Sequence, residues 1–106
     1  MLKLMNSAMM PQPGYYKLVR LTEHQFMVAI MEAGVVDSYV GYPQTAAFVE
    51  VLTGVKIEVS RRQTVLLDGE SVLIIKLTYR LQEWSDKTKP VDESKYEFYM
   101  ATYKEQ

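Results

Sequence analysis

Val72-Leu73-Ile74-Ile75 is an unbroken apolar run with three β-branched residues. A half-buried strand alternates apolar and polar residues, so such a run wants cover on both faces. The chain has 106 residues, and at roughly 100–200 residues per domain that is one domain, 1–106. A strand buried on both faces in one small domain predicts a sheet with other elements packed against it.

The remaining elements are placed by punctuation and period. Residues 2–9 read as a strand, closed by the breaker cluster Pro11-Gln12-Pro13-Gly14. Residues 15–20 are β-prone and read as a second strand. Thr22 as N-cap with Gln25 at N3 makes a capping box, and Leu21 can staple to Phe26. That predicts a helix over 23–33, with residues 26, 27, 30 and 31 as its apolar face and Gly34 just past its end. Residues 35–40 are a short connection or strand. A second helix takes Pro43 in its first turn, shows Ala47, Phe48, Val51 and Leu52 as its apolar face, and ends at Gly54. Strands over 57–67 and 71–80 flank Asp68-Gly69, a two-residue hairpin signal. The polar stretch 82–94 reads as a long loop and 96–103 as the last strand. The order β-β-α-α-β-β-β predicts an α/β (α+β) domain: a mixed sheet of about five strands flanked by helices.

Composition narrows the function. Apolar residues make up 48% and charged residues 24%, as in globular proteins and unlike disordered or fibrous ones. A domain this small buries about two-thirds of its unfolded surface. With no cysteine, disulfide scaffolds, cysteine nucleophiles and thiolate metal sites are excluded. Twelve Lys and Arg against 13 Asp and Glu argue against duplex DNA or an anionic membrane as partner. No apolar run reaches the ~18–20 residues of a membrane span. Met1 to Met5 is apolar, but Asn6, Ser7 and the Pro11–Gly14 cluster interrupt it too soon for a secretory segment. A cytosolic location is expected.

Few residues suggest chemistry by themselves. His24, the single histidine, falls at N2 of the first helix, away from Phe26 and Ile30, and reads as a solvated surface residue. One histidine and no cysteine make a zinc site improbable, so no metal is expected. Neither a Walker loop nor a G-x-G-x-x-G is present. Gly41-Tyr42-Pro43-Gln44-Thr45 opens the second helix, where free N–H groups and a partial positive charge suit a phosphate; an ordinary helix start is the commoner meaning. Of Arg61 and Arg62, adjacent on a strand, only one can face a given site. Arg80 and Glu83 suit either a surface ion pair or a phosphate grip with a proton donor beside it. The methionines at 5, 9, 10, 27 and 31 read as core filler. Trp84 is either half-buried packing or a stacking surface for a base.

Taken together, these pieces resemble the viral ring nucleases, small anti-CRISPR proteins of archaeal viruses, phages and mobile elements. The matching segments are Leu4-Met5-Asn6-Ser7-Ala8, then Ser38-Tyr39-Val40-Gly41-Tyr42-Pro43-Gln44-Thr45-Ala46, then Gly54-Val55 and Ser60-Arg61-Arg62-Gln63, then Arg80-Leu81-Gln82-Glu83-Trp84, and finally Tyr96-Glu97-Phe98. They span nearly the whole chain in order and at matching spacing. The resemblance implies a homodimer that binds cyclic tetra-adenylate across its two-fold axis. It also implies cleavage without metal or cofactor, a ribose 2′-hydroxyl attacking the neighbouring phosphate to leave a 2′,3′-cyclic phosphate. It assigns catalytic places to Tyr42, Arg80 and Glu83, and ligand-binding places to Asn6, Ser7, Ala8, Gly41, Gln44, Thr45, Arg61 and Trp84.

The departure falls at position 42, where the family keeps a histidine as general acid and this chain has Tyr42. An ordinary tyrosine titrates near 10 and a histidine near 6.5. A positioned general acid is typically worth 10²–10⁴ in rate. Ser60 for asparagine and Trp84 for glycine are further departures. The expectation is a homodimeric anti-defence protein that sequesters a cyclic nucleotide messenger with weak or no cleavage. The alternatives are an active ring nuclease and a direct protein inhibitor of an immune effector.

Overall fold

In the computed structural model, residues 1–6, 12–78 and 96–105 are described. The elements run β1 (Leu2–Met5), β2 (Tyr15–Leu21), α1 (Glu23–Ala33), β3 (Val36–Tyr39), α2 (Pro43–Thr53), β4 (Ser71–Leu77) and β5 (Tyr96–Lys104). The five strands form one mixed sheet in the order β2-β5-β4-β1-β3. β1 runs parallel to both β3 and β4, while β5 is antiparallel to β4 and β2. The expected α+β domain with a five-stranded mixed sheet is therefore present. No helix among the described residues is long and apolar enough to cross a membrane.

Both helices lie on one face of the sheet. Phe26 and Ile30 of α1 and Ala46 and Val49 of α2 pack with Leu4, Leu73, Ile75 and Phe98 of the strands. Phe26 meets Phe98 at a centroid separation of 4.8 Å, and Phe48 stacks on Tyr96 at 4.5 Å. On the opposite face Met5, Leu66, Val72, Ile74, Ala101 and Tyr103 form a smaller cluster. Val72, Leu73, Ile74 and Ile75 are all fully buried, divided between the two clusters as the unbroken run predicts.

The helix starts follow local chemistry. Thr22 accepts from the Gln25 N–H and the Gln25 side chain accepts from the Thr22 N–H, completing the capping box. His24 is exposed, as expected. Met31 is exposed too, so the buried stripe of α1 narrows to Phe26 and Ile30. In α2 the buried stripe is Thr45, Ala46, Val49 and Thr53, with Phe48 and Leu52 partly buried. Val51, expected on the apolar face, points to solvent.

The structure corrects one element outright. Residues 57–67 do not form a strand: Val59 makes a single bridge to Val40, and the rest is irregular extended chain. The fifth strand of the sheet is β3 instead, within 35–40, so the order is β-β-α-β-α-β-β. The physical reason is that this segment changes faces. Ile57 belongs to the helix-side core and Leu66 to the cluster on the opposite face. A paired strand stays in its sheet; this strap goes round the β3 edge and crosses beneath the sheet. It is fastened as it goes. Ser38 Oγ donates to the Glu58 carbonyl at 2.5 Å, and the Ser60 N–H donates to the Val40 carbonyl at 2.8 Å. Lys3 Nζ, under β1, donates to the Val65 carbonyl at 2.6 Å and to Glu70 at 2.9 Å. The Gln12 side chain binds both backbone groups of Leu66. Asp68-Gly69 makes a turn, with Gly69 at φ +82° and Glu70 N–H donating to the Leu67 carbonyl, but closes no hairpin, because β4 pairs with β1 and β5 instead of with the chain before the turn.

Candidate functional site

The parallel strands β1 and β3 end side by side, since Met5 registers with Tyr39. Asn6 therefore leaves β1 beside Val40. Ligand crevices in sheets with parallel strands tend to lie beyond such carboxyl ends. The chain turns from β3 through Val40 and Gly41 directly into α2, whose N-cap is Tyr42 and whose first residue is Pro43. Pro43 suits that place because its missing N–H and fixed φ cost nothing there.

Tyr42 is 40% exposed and its side chain makes no capping hydrogen bond. Its carbonyl accepts from the Thr45 and Ala46 N–H groups, both at 3.1 Å. The phenol thus stands at the positive end of a helix without being spent on holding that helix. Arg61 comes to the same place from the strap. Its Nε donates to the Gly41 carbonyl at 3.2 Å, and its stem lies against Gly41, where a Cβ would come within 3.1 Å of the Arg61 Cγ. Asn6, Gly41, Tyr42 and Arg61 therefore share one end of the sheet.

Gln44 and Thr45 are only 2% and 1% exposed. Thr45 Oγ1 shares a hydrogen bond of 3.2 Å with the Tyr96 hydroxyl, tying the start of α2 to β5. These two side chains support the site from inside. Ser7, Ala8, Arg80, Glu83 and Trp84 lie outside the described residues, as do Met9, Met10 and the expected loop 82–94.

Arg61 and Arg62 diverge, as adjacent extended residues do. Arg62 turns under the sheet, donates to Asp37 at 2.8 Å and lies 4.7 Å from the Tyr39 ring centroid. Tyr39 donates to the same carboxylate at 2.7 Å. That bond does most to hold the Asp37 pKa below the usual carboxylate value, against the penalty of burial, and Arg62 adds to it. The same arrangement recurs across the sheet. Tyr99 donates to Glu97 at 2.6 Å, and Arg20 lies over the Tyr99 ring and 3.7 Å from Glu97. The bond from Tyr99 lowers the Glu97 pKa and raises that of Tyr99. Sequence reasoning did not single out these clusters. Their signal is an acid two residues before a tyrosine, Asp37-Ser38-Tyr39 and Glu97-Phe98-Tyr99, which on a strand puts both side chains on one face.

Fold and site together define a small α+β domain with both helices on one face of a mixed sheet and a candidate site where β1 and β3 end. The chain belongs to the STIV B116-like family, which matches residues 2–98. It is similar to B116 of Sulfolobus turreted icosahedral virus, a solved structure, with a TM-score of 0.72 and 21% identity, covering 94% of this chain and 97% of that one. It is also 26% identical over 100 residues to the uncharacterised protein YddF of Bacillus subtilis (strain 168), covering 92% of this chain and 93% of YddF.

Proposed function

We propose that this protein is a homodimeric anti-defence protein of a virus or mobile element that binds and sequesters a cyclic oligonucleotide messenger, with cyclic tetra-adenylate the first candidate. The reading rests on the resemblance to ring nucleases and on family membership shared with a viral protein. One observation carries the emphasis on binding. Tyr42 is presented, half-exposed and uncapped, at the α2 N-terminus beside Arg61, in the place where the ring nucleases keep a histidine.

The chemistry expected of such a site follows from its parts. The first turn of α2 offers a partial positive charge to a phosphate, and Gly41 lets the ligand approach the backbone. Arg61 adds a fixed cation. Arg80 and Glu83 are assigned from the resemblance to help with proton transfer. With Tyr42 in the place of the histidine, a phenol hydrogen-bonds the leaving oxygen but is a weaker general acid than an imidazolium. Binding then outlasts turnover.

Incubating the protein with labelled cyclic oligoadenylates and cyclic dinucleotides, then denaturing it, tests this. Recovery of intact ring after prolonged incubation supports sequestration. A linear product with a 2′,3′-cyclic phosphate makes the protein an active ring nuclease. Absence of binding to every ring overturns the proposal in favour of direct inhibition of a protein effector. Tyr42→His, in a protein that holds the ring, raises cleavage by on the order of 10²–10⁴. A variant that binds the ring but cleaves no faster shows that residue 42 does not reach the phosphate.

A further inference from the structure

We propose that β2 pairs edge to edge with β2 of a second copy of this chain, antiparallel about a two-fold axis at Leu18, joining the two sheets into one.

Among the described residues, β2 is the last strand of the sheet and pairs only with β5. Its register with β5 is unbroken from Tyr15 opposite Lys104 to Leu21 opposite Phe98, so no bulge twists the outer edge away. The strand contains no proline. Side chains stand open on both of its faces: Tyr15 is 66% and Val19 46% exposed on one, and Leu18 48% on the other. Among the described residues, its backbone is engaged only by the β5 ladder. The other edge of the sheet is treated differently. β3 is covered by the strap through the Ser60–Val40 and Ser38–Glu58 bonds. A long, regular, uncovered edge is a template for strand addition, and proteins usually block one unless it is used.

The sequence of β2 selects its own copy as the occupant. A symmetric antiparallel pair must turn about one residue, and only Leu18 brings all seven residues of the strand opposite one another. Tyr15 then faces Leu21, Tyr16 faces Arg20, Lys17 faces Val19 and Leu18 faces its own equivalent. No like charges are opposed. Lys17 lies against the apolar Val19, and Arg20, opposite Tyr16, keeps the Tyr99 ring and Glu97 of its own sheet as partners. The contact is smaller than the roughly 1,200–2,000 Å² of a stable standard interface, so the association depends on concentration. It also lies at the opposite edge of the sheet from β3 and leaves the Tyr42 end open. A dimer formed around that end would therefore be linked by β2 into larger assemblies.

Sedimentation velocity across a concentration series, with hydrogen exchange on the same samples, tests the proposal without reference to any nucleotide. Wild type gains mass with concentration, and the amides of residues 15–21 gain protection in step. Leu18→Lys sets two ammonium groups against each other at the axis and weakens this association by roughly tenfold or more, while Leu18→Thr retains most of it. Ring binding, where present, survives in both. Mass unchanged by Leu18→Lys, or β2 amides unprotected at every concentration, overturns the proposal.

Discussion

At Gly41 a hydrogen in place of a side chain lets the Arg61 stem fold across the turn into α2. Gly41→Ala would put a methyl within 3.1 Å of the Arg61 Cγ. The obstacle is a flexible side chain, so the arginine swings aside and the fold survives. The expected outcome is a melting temperature close to wild type with weaker binding of a cyclic nucleotide, read by calorimetry on matched samples. A large loss of stability would mean the turn itself cannot accept a side chain. Much at this scale was legible beforehand. Thr22 and Gln25 are three residues apart and form their capping box through local geometry alone. The interior places of Gln44 and Thr45 were not legible, because a polar residue at a helix start reads as solvent-facing until a partner such as the Tyr96 hydroxyl, 51 residues away, is known.

Among the elements, the strap over 57–67 shows where pattern reading stops. Its sequence has strand-like residues and a true Asp68-Gly69 turn after it. Alternation reports which side chains are buried, not which sheet, if any, the backbone joins. Ile57 and Leu66 are both buried, but against opposite faces. The strap covers the β3 edge, and Ser38 is its main fastener: its Oγ donates to the Glu58 carbonyl and accepts from the Val40 N–H at 3.3 Å. Ser38→Ala removes both bonds at a nearly buried position. The expected cost is about 1–3 kcal/mol, seen as a drop of roughly 4–8 °C in melting temperature per kcal/mol for a domain of this size. Faster exchange at the Ser60 amide should accompany it, because that bond closes the same edge. An Ala variant as stable as wild type, with Ser60 still protected, would show that the backbone bridge holds the edge alone.

For the whole molecule the near balance of 12 basic and 13 acidic residues sets the response to acid. Glu70 ties two elements together: it accepts from the Leu67 N–H at 3.0 Å and from Lys3 at 2.9 Å, so it joins the turn before β4 to β1. The Leu67 N–H does most to hold its pKa below the usual value, opposing the penalty of burial, and Lys3 lowers it further. Asp37 is lowered as well, by Tyr39 first and then Arg62. A carboxylate whose pKa is lower folded than unfolded contributes stability that is present above the unfolded value. That contribution is lost as pH falls towards the folded value. Protonating the acids also leaves the 12 cations unbalanced, which favours the open chain. Urea midpoints measured from about pH 7 to about pH 3 should therefore fall steeply below the ordinary carboxylate pKa of about 4. Glu70→Gln should be less stable than wild type at neutral pH and should lose less on acidification, so that the two curves converge towards the acid end. Parallel curves would remove Glu70 from the account and leave the loss to Asp37, to Glu97 and to general repulsion. Asp37→Asn and Glu97→Gln then separate these, since a variant's curve converges only where its own carboxylate carries part of the loss.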